Sequence, residues 1–155
     1  MARIVLLGPA GSGKTRLARR YAMRTGAALI CLDAIWAGDV EAFRAEIARL
    51  HAGEAWISDG NFAAVSFDIR LPRATEIIWL EAPRWLSIVR AVRRPFRADS
   101  DHALHGLPKA LAFIWNFERR NRPLIERLRQ EKGPQVPVRR LRTKAEIAAF
   151  LTEAA

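Results

Sequence analysis

Short apolar runs alternate along this chain with longer segments in which apolar residues recur every three or four positions. The short runs predict five buried strands, at residues 2–7, 28–32, 55–58, 75–80 and 136–141. The longer segments predict helices that begin near residues 14, 39, 83, 107 and 143. Strands that alternate with helices indicate one α/β domain over residues 1–155, with a parallel sheet covered on both faces.

Capping residues and a proline mark several of the helix ends. Asp39 is suited to N-cap the second helix, and Thr143 forms a capping box with Glu146 for the last one. Pro123 is expected to end or kink the long fourth helix. Residues 62–71 carry a weak pattern that fits either a helix or a loop.

A glycine-rich stretch joins the first strand to the first helix. It fits G-x-x-x-x-G-K-[ST], the Walker A phosphate-binding pattern, and consists of Gly8, Pro9, Ala10, Gly11, Ser12, Gly13, Lys14 and Thr15. Glycines let several backbone N–H groups face one anion, and the helix N-terminus favours negative charge. The lysine would reach the β- and γ-phosphates of a nucleoside triphosphate, and the threonine hydroxyl would ligate Mg²⁺. The flanking strand and helix favour this site over a plain glycine turn.

Acidic residues stand at the carboxyl ends of three predicted strands, where ligands of open α/β sheets bind. They are Asp33, Asp59 and Glu81. Asp59 is a candidate to hold Mg²⁺, directly or through water, and Glu81 is its competitor; either is alternatively a solvated residue at a strand end. Asp33 is a candidate to bind the phosphate acceptor or act as general base, with a capping or turn role as the alternative.

Two arginine clusters flank a polar, irregular loop over residues 95–106. The first contains Arg90, Arg93, Arg94 and Arg97 at helical spacing, and the second contains Arg119, Arg120 and Arg122. This arrangement suits a short lid that closes over phosphates and supplies charge in the transition state. Arg94, Arg119 and Arg122 are the candidate catalytic arginines. A solvated basic face is the alternative interpretation.

Composition and charge narrow the functions further. The chain of 155 residues contains one cysteine, Cys31, which excludes an internal disulfide and makes a reducing cytoplasm the expected location. No apolar run has the length of a membrane span, and no signal peptide is expected. The net charge of +10 indicates affinity for anions such as nucleotides, phosphorylated substrates or nucleic acid.

Further motifs extend along nearly the whole chain. They are LDAIW at 32–36, WISDGNF at 56–62, DIRL at 68–71, PRWL at 83–86 and IWNF at 114–117 followed by RP at 122–123. Together with the phosphate loop they resemble the bacterial DNA topology modulation protein (FlaR-related) family, which is similar to adenylate and shikimate kinases. The resemblance implies a three-layer α/β/α P-loop NTPase fold of the nucleoside-kinase-like type. It also implies a five-stranded parallel sheet in the order 2-3-1-4-5.

The same resemblance implies roles for individual residues. Asp59 with Gly60 resembles the Asp-Gly pair that lies near Mg²⁺ and the acceptor in adenylate kinases. Asp33 resembles the acceptor-side aspartate of shikimate-type kinases. Arg119 and Arg122 look like the arginines that follow the lid of such enzymes.

Three other features of the chain either match the family pattern or depart from it. Arg142 falls where such kinases pack the adenine base, so it is expected to contact the nucleotide. Cys31 stands where family members often have His, and the brief stretch 95–106 replaces their basic, cysteine-containing lid. The family name suggests an effect on DNA, which is not in itself a biochemical activity.

The favoured function is a P-loop kinase that transfers the γ-phosphate of ATP, with Mg²⁺, to a small-molecule or nucleotide acceptor. One alternative is a nucleotide-dependent regulator that contacts DNA or RNA through its positive charge. Against that alternative, the sequence carries no helix-turn-helix, zinc-finger or RNA-binding signature. The other alternative is an ATP-binding module without catalysis. ATP and Mg²⁺ are the expected cofactors, and no membrane association is expected.

Overall fold

The computed structural model describes residues 1–81, 89, 112 and 115–153. Five parallel strands in these ranges form one sheet, in the order β2-β3-β1-β4-β5. The strands are β1 Arg3–Leu7, β2 Ala28–Cys31, β3 Trp56–Asp59, β4 Glu76–Leu80 and β5 Val138–Leu141. The predicted parallel sheet and its predicted order are therefore confirmed.

Six α-helices lie in the described part of the chain. They are α1 Lys14–Thr25, α2 Leu32–Ile35, α3 Val40–Leu50, α4 Ala63–Arg70, α5 Arg122–Lys132 and α6 Lys144–Glu153. A 3-10 turn, Leu71–Arg73, follows α4, and a π-helical segment, Phe117–Asn121, precedes α5. None of these helices combines the length and the apolar character that crossing a membrane requires.

The central strand β1 is buried on both faces, and its side chains alternate between two cores. Val5 and Leu7 pack with residues of α3, α4 and α5. Ile4 and Leu6 pack with residues of α1 and α6 on the opposite face. Because successive side chains of a strand point to opposite faces, this alternation gives the three-layer α/β/α arrangement.

The predicted helix caps are present. The Asp39 carboxylate accepts hydrogen bonds from the backbone N–H groups of Glu41 and Ala42, at 2.8 and 3.0 Å. In the last helix the N–H of Glu146 donates to Thr143 Oγ1 at 3.1 Å, and the N–H of Thr143 donates to Glu146 Oε2 at 3.0 Å. These side chains bond backbone groups that a helix end leaves without intrahelical partners.

The predicted strands differ from the observed ones by one or two residues at their ends, and residues 62–71 contain α4 and the start of the 3-10 turn. The strand predicted over 28–32 ends at Cys31, because Leu32 begins the single turn of α2 and accepts a hydrogen bond from the Trp36 N–H at 3.0 Å. Pro123 does not end the helical stretch. The residues just before it are not regular α-helix, however. Instead the Arg122 N–H donates to the carbonyl of Phe117, five residues earlier. This wider π turn relieves the clash that a proline ring makes inside a regular helix.

Some predicted features cannot be compared with the structure. The helix expected from residue 83, the loop over 95–106 and the first arginine cluster lie outside the described residues.

His51 is a buried imidazole at the end of α3 that the sequence analysis did not single out. Its Nδ1 lies 2.8 Å from the Ile47 carbonyl oxygen, and its ring packs edge-on against Trp56 at a centroid distance of 4.5 Å. Burial lowers the pKa of His51 to about 4; the Ile47 hydrogen bond opposes this shift, and the charges of Arg70 and Arg73 add to it. The ring is therefore neutral in the folded protein at neutral pH.

We expect His51 to make folding stability depend on pH. An unfolded histidine takes up a proton below about pH 6.5, whereas folded His51 does so only near pH 4, so its contribution is intact above pH 6.5 and is lost as the pH falls toward 4. The shift corresponds to about 3 kcal/mol at most. Urea unfolding of wild type and His51→Phe between pH 7.5 and 4.5 measures it, and the variant should lose less stability. Parallel profiles would contradict the assignment.

Candidate active site

The phosphate loop leaves the end of β1 and leads directly into α1. Gly8, Gly11 and Gly13 have φ values of +145°, +74° and +100°, which residues with side chains rarely adopt. At Gly8 a Cβ atom would also lie 2.5 Å from the carbonyl oxygen of Leu80. Gly13 is the N-cap of α1, and no side chain caps this helix. The N-terminus of α1 thus offers its backbone N–H groups to an anion, as the motif predicts.

Lys14 folds back over the start of the loop. Its Nζ donates to the carbonyl oxygens of Gly8 and Pro9, both at 2.9 Å. Burial lowers the pKa of Lys14, and the carboxylates of Asp59 and Asp33 oppose this shift. The ammonium group therefore lies within electrostatic reach of both acids, which places all three side chains in one site.

Asp59 and Thr15 meet at the end of the loop. The Thr15 hydroxyl donates to Asp59 Oδ2 at 2.6 Å. Asp59 is 1 % exposed, and its Oδ1 has no hydrogen-bond partner among the described residues. A buried carboxylate oxygen without a partner is costly, so this position favours a bound cation or water. One hydroxyl and one carboxylate are oxygen ligands of the kind that Mg²⁺ takes.

The described residues alone do not supply a full set of metal ligands at this position. The described ranges contain no cluster of three or more His, Cys, Asp or Glu residues that could hold a metal ion. Mg²⁺ is usually bound through one or two protein groups, together with waters and substrate phosphates. The pair formed by Thr15 and Asp59 fits that mode of binding.

Asp33 follows the edge strand β2, so it lies on the side of Asp59 that faces away from the centre of the sheet. It is in the first turn of α2, which directly follows β2, and β2 pairs with β3 so that Cys31 stands opposite Asp59. Trp36 ends α2, and its ring packs against Phe43 and Phe62 at centroid distances of 5.1 and 5.8 Å. This aromatic packing fixes the turn that carries Asp33.

Glu81, the competing candidate for Mg²⁺, bonds three arginines instead. Its Oε1 accepts from Arg122 Nη2 at 2.9 Å and Arg140 Nη1 at 2.7 Å, and its Oε2 accepts from Arg142 Nε at 2.7 Å. Burial alone would raise the pKa of Glu81, but these hydrogen bonds and charges hold it below its usual value. The guanidinium groups of Arg122 and Arg140 also lie over the Trp79 ring, at 5.6 and 5.5 Å. Glu81 therefore gathers positive charge at the ends of β4 and β5.

The structure shows less about two other arginines that were predicted to be catalytic. Arg119 lies in the π-helical segment with its side chain exposed. Arg94 falls outside the described residues. The structure thus brings Lys14, Asp33 and Asp59 together beside the loop, and it joins Arg122 and Arg142 through Glu81.

Two residues near the loop were missed by the sequence analysis. The Asn61 amide bonds the backbone of Gly8 on both sides, with Nδ2 donating to the carbonyl at 3.0 Å and Oδ1 accepting from the N–H at 3.2 Å. Arg70 is 0 % exposed and donates to the carbonyl oxygens of Gly60 and Asn61, at 3.0 and 2.8 Å. Burial lowers the pKa of Arg70 to about 9, and the charge of Asp59 opposes the shift.

A sequence signal for Arg70 did exist. Ala63, Ser66, Phe67 and Arg70 are the buried positions of α4, and their helical spacing places an arginine where an apolar residue is expected. An arginine in the buried stripe of a helix indicates a polar partner inside the fold, because an unpaired buried charge is too costly. No comparable local signal identified Asn61, since its contact depends on how β1 and β3 pair.

Comparison with known proteins supports the fold. No protein-family model matches the chain, and no curated protein matches it. A shikimate kinase from Acinetobacter baumannii in complex with shikimate is 19 % identical with a TM-score of 0.61, over 99 % of this chain and 90 % of that one. A sugar kinase from Janibacter sp. is 19 % identical with a TM-score of 0.58, over 98 % and 94 % of the two chains. A deoxyadenosine kinase from M. mycoides with bound dATP is 11 % identical with a TM-score of 0.55, over 97 % of each.

At these identities the likeness shows the fold alone, which is that of the P-loop kinases. The more specific resemblance to the DNA topology modulation protein family stays a prediction.

We expect mutation of Asp59 to affect Mg²⁺-dependent binding, and mutation of Glu81 to affect folding stability. Asp59→Asn should weaken Mg²⁺-dependent nucleotide binding about tenfold or more, because it removes a charged oxygen beside Thr15. Glu81→Gln should instead lower the free energy of unfolding by about 1–3 kcal/mol, because three guanidinium groups lose their carboxylate. Isothermal titration with and without Mg²⁺, together with urea unfolding, measures both effects.

Glu126→Gln is the matched control for the second variant, since Glu126 bonds Arg129 on its own helix. It should cost less stability than Glu81→Gln. Loss of the Mg²⁺ effect in Glu81→Gln, with Asp59→Asn unchanged, would reverse the assignment.

Proposed function

We propose that residues 1–155 form a single kinase domain that transfers the γ-phosphate of ATP, with Mg²⁺, to a small-molecule acceptor. The observation that carries this proposal is the 2.6 Å hydrogen bond between Thr15 and Asp59 beside a complete phosphate loop. It brings the loop hydroxyl and a buried carboxylate together where the nucleotide phosphates would lie. The lysine of the same loop is held next to them.

The bound phosphates would be stabilised by groups that the fold already positions. Backbone N–H groups of the loop and of α1 would face the β- and γ-phosphates, and Lys14 would exchange its two carbonyl contacts for phosphate oxygens. Thr15 and Asp59 would hold Mg²⁺, which supplies positive charge to the same oxygens. We assign Arg142 to the nucleotide side, because it lies beyond the end of β5 and bonds Glu81.

In the transfer step Asp33 acts on the acceptor. Its carboxylate takes the proton of an acceptor hydroxyl, and the freed oxygen forms a bond to the γ-phosphorus. The bond from that phosphorus to the β–γ bridging oxygen breaks, and ADP leaves with the electron pair. Lys14 and the arginines, among them Arg94, Arg119 and Arg122, would stabilise the charge that spreads over the γ-oxygens.

The names of the structural neighbours also support a kinase. Shikimate, sugar and deoxyadenosine kinases share this fold, which favours phosphoryl transfer over a nucleotide-dependent regulator of DNA or RNA. Their acceptors differ in chemistry, so the neighbours leave the acceptor of this chain open. We propose a cytoplasmic location for the enzyme. We also propose that residues 95–106, which lie outside the described residues, serve as its short lid.

Lys14→Ala is expected to abolish detectable ATP binding, because it removes the ammonium group that lies over the start of the loop. The measurement is calorimetric titration with ATP and Mg²⁺. Lys132→Ala, which removes an exposed lysine at the end of α5, is the matched control and should bind like wild type. Equal affinity of all three proteins would exclude the loop as the phosphate site.

Asp33→Asn is expected to lower acceptor-dependent turnover by about 10²–10⁴-fold while ATP affinity stays within about twofold, because asparagine keeps the size and polarity of the side chain but cannot take up the proton. ADP formation with acceptor and ATP titration without it separate the two effects. Asp39→Asn is the control: it makes the same chemical change on the neighbouring helix, where asparagine caps equally well. If Asp33→Asn loses ATP binding and turnover together, Asp33 has a structural role.

A further inference from the structure

Asp59 and Asn61, at and just beyond the end of β3, contact the phosphate loop at its two ends. Asp59 accepts from Thr15, the last residue of the loop. Asn61 bonds Gly8, the first residue, through both the donor and the acceptor of its amide. A side-chain amide that pairs with both backbone groups of one residue fixes that residue much as an adjacent strand would.

Gly8 is the residue whose conformation sets the course of the loop. Its φ of +145° turns the chain out of β1, and the carbonyl oxygen of Leu80 closes the space on one side, 2.5 Å from where a Cβ would stand. The Asn61 amide bonds both the N–H and the carbonyl oxygen of Gly8. Gly8 is therefore held between Leu80 of β4 and Asn61 just beyond β3, and its carbonyl oxygen also accepts from Lys14.

The short turn that carries Asn61 is itself held by hydrogen bonds from a buried arginine. The buried guanidinium of Arg70 donates to the carbonyl oxygens of Gly60 and Asn61, and to Ser58 Oγ at 3.3 Å. A Cβ at Gly60 would lie 2.8 Å from Leu32 Cβ. A buried charge is costly unless it is paired by hydrogen bonds, and the described bonds of Arg70 go to this turn and to Ser58 in the strand before it.

We propose that Asn61 is a positioning residue of the phosphate loop. Its amide clamps Gly8 and so holds the loop in its anion-binding conformation before a nucleotide arrives, while Arg70 holds the clamp. Because the same turn begins at Asp59, the metal side of the site and the phosphate loop are fixed as one unit. The identity of the anion rests on the proposed function; the clamp itself does not.

The test is Asn61→Asp, because a carboxyl group has the shape of the amide but changes its bonding with pH. When ionised it offers no donor to the Gly8 carbonyl, and when protonated it regains one. Asn61→Ala lacks both groups at every pH. Asn116→Asp is the matched control, since Asn116 Nδ2 also donates to a backbone carbonyl, that of Ala112 at 2.9 Å, within a helix.

Two measurements are made between pH 8 and pH 4, a range that reaches the ordinary pKa of an aspartate. The first is the NMR chemical shift of the Gly8 amide and carbonyl without nucleotide, and the second is ATP affinity by calorimetry. At pH 8 both Asn61 variants should show displaced Gly8 shifts and roughly fivefold to tenfold weaker ATP binding. As the pH falls, shifts and affinity should recover toward wild type in Asn61→Asp, but not in Asn61→Ala.

Unchanged Gly8 shifts and ATP affinity in both variants would overturn the clamp, as would the same pH-dependent recovery in Asn61→Ala or an equal loss in Asn116→Asp. If wild type itself fails to bind ATP, the proposed function is wrong, and the Gly8 shifts still decide whether Asn61 positions the loop.

Discussion

The pairing of β1 with β3 is the constraint on which the site depends. Leu6 stands opposite Asp59 in this parallel ladder, so the loop that leaves β1 one residue later must pass the end of β3. On its other side β1 pairs with β4, whose Leu80 closes the space around Gly8. The chain runs from β1 past β3 to reach β2, and later from β3 past β1 to reach β4. Because these two connections leave neighbouring strands in opposite directions, a crevice opens at the carboxyl ends of β1 and β3. The loop, Asp33 and Asp59 lie around this crevice, and Glu81 with its three bonded arginines lies beyond the ends of β4 and β5.

The crevice concentrates buried charge that the fold could not retain elsewhere. Lys14, Asp59 and Arg70 are each desolvated, yet each is matched by an opposite charge or by backbone carbonyls. Removing any one would leave its partners uncompensated in a medium of low polarity. Burial lowers the pKa values of Lys14 and Arg70, and groups with such shifts in a cleft are typical of sites that bind or transform a charged ligand. The Asp59 oxygen without a hydrogen bond marks where that ligand, or its metal ion, would complete the set.

Much of the fold could be predicted from the sequence, because strands buried on both faces leave unbroken apolar runs and the helices between them carry amphipathic spacing. The strand order came from the family resemblance. The errors were local: Leu32, for example, is as apolar as a strand residue but begins a turn. Of the two alternatives expected at Pro123, the helix end is absent, because a π turn carries the helical stretch through the proline. In the candidate site, a motif pointed to Lys14 and Thr15, and the ends of predicted strands pointed to Asp33 and Asp59. The contacts of Asn61 and Glu81 join distant segments, so no local pattern could reveal them.

The most direct measurement is ADP formation from ATP and Mg²⁺ across nucleoside monophosphates, nucleosides, sugars and shikimate-like acids, with DNA binding tested in parallel. A P-loop kinase predicts that one acceptor class stimulates ADP formation well above the rate with water, and that the acceptor gains a phosphate visible by ³¹P NMR. ATP binding without stimulation by any acceptor, accompanied by salt-sensitive retention on DNA, would contradict a kinase and indicate a nucleotide-dependent regulator.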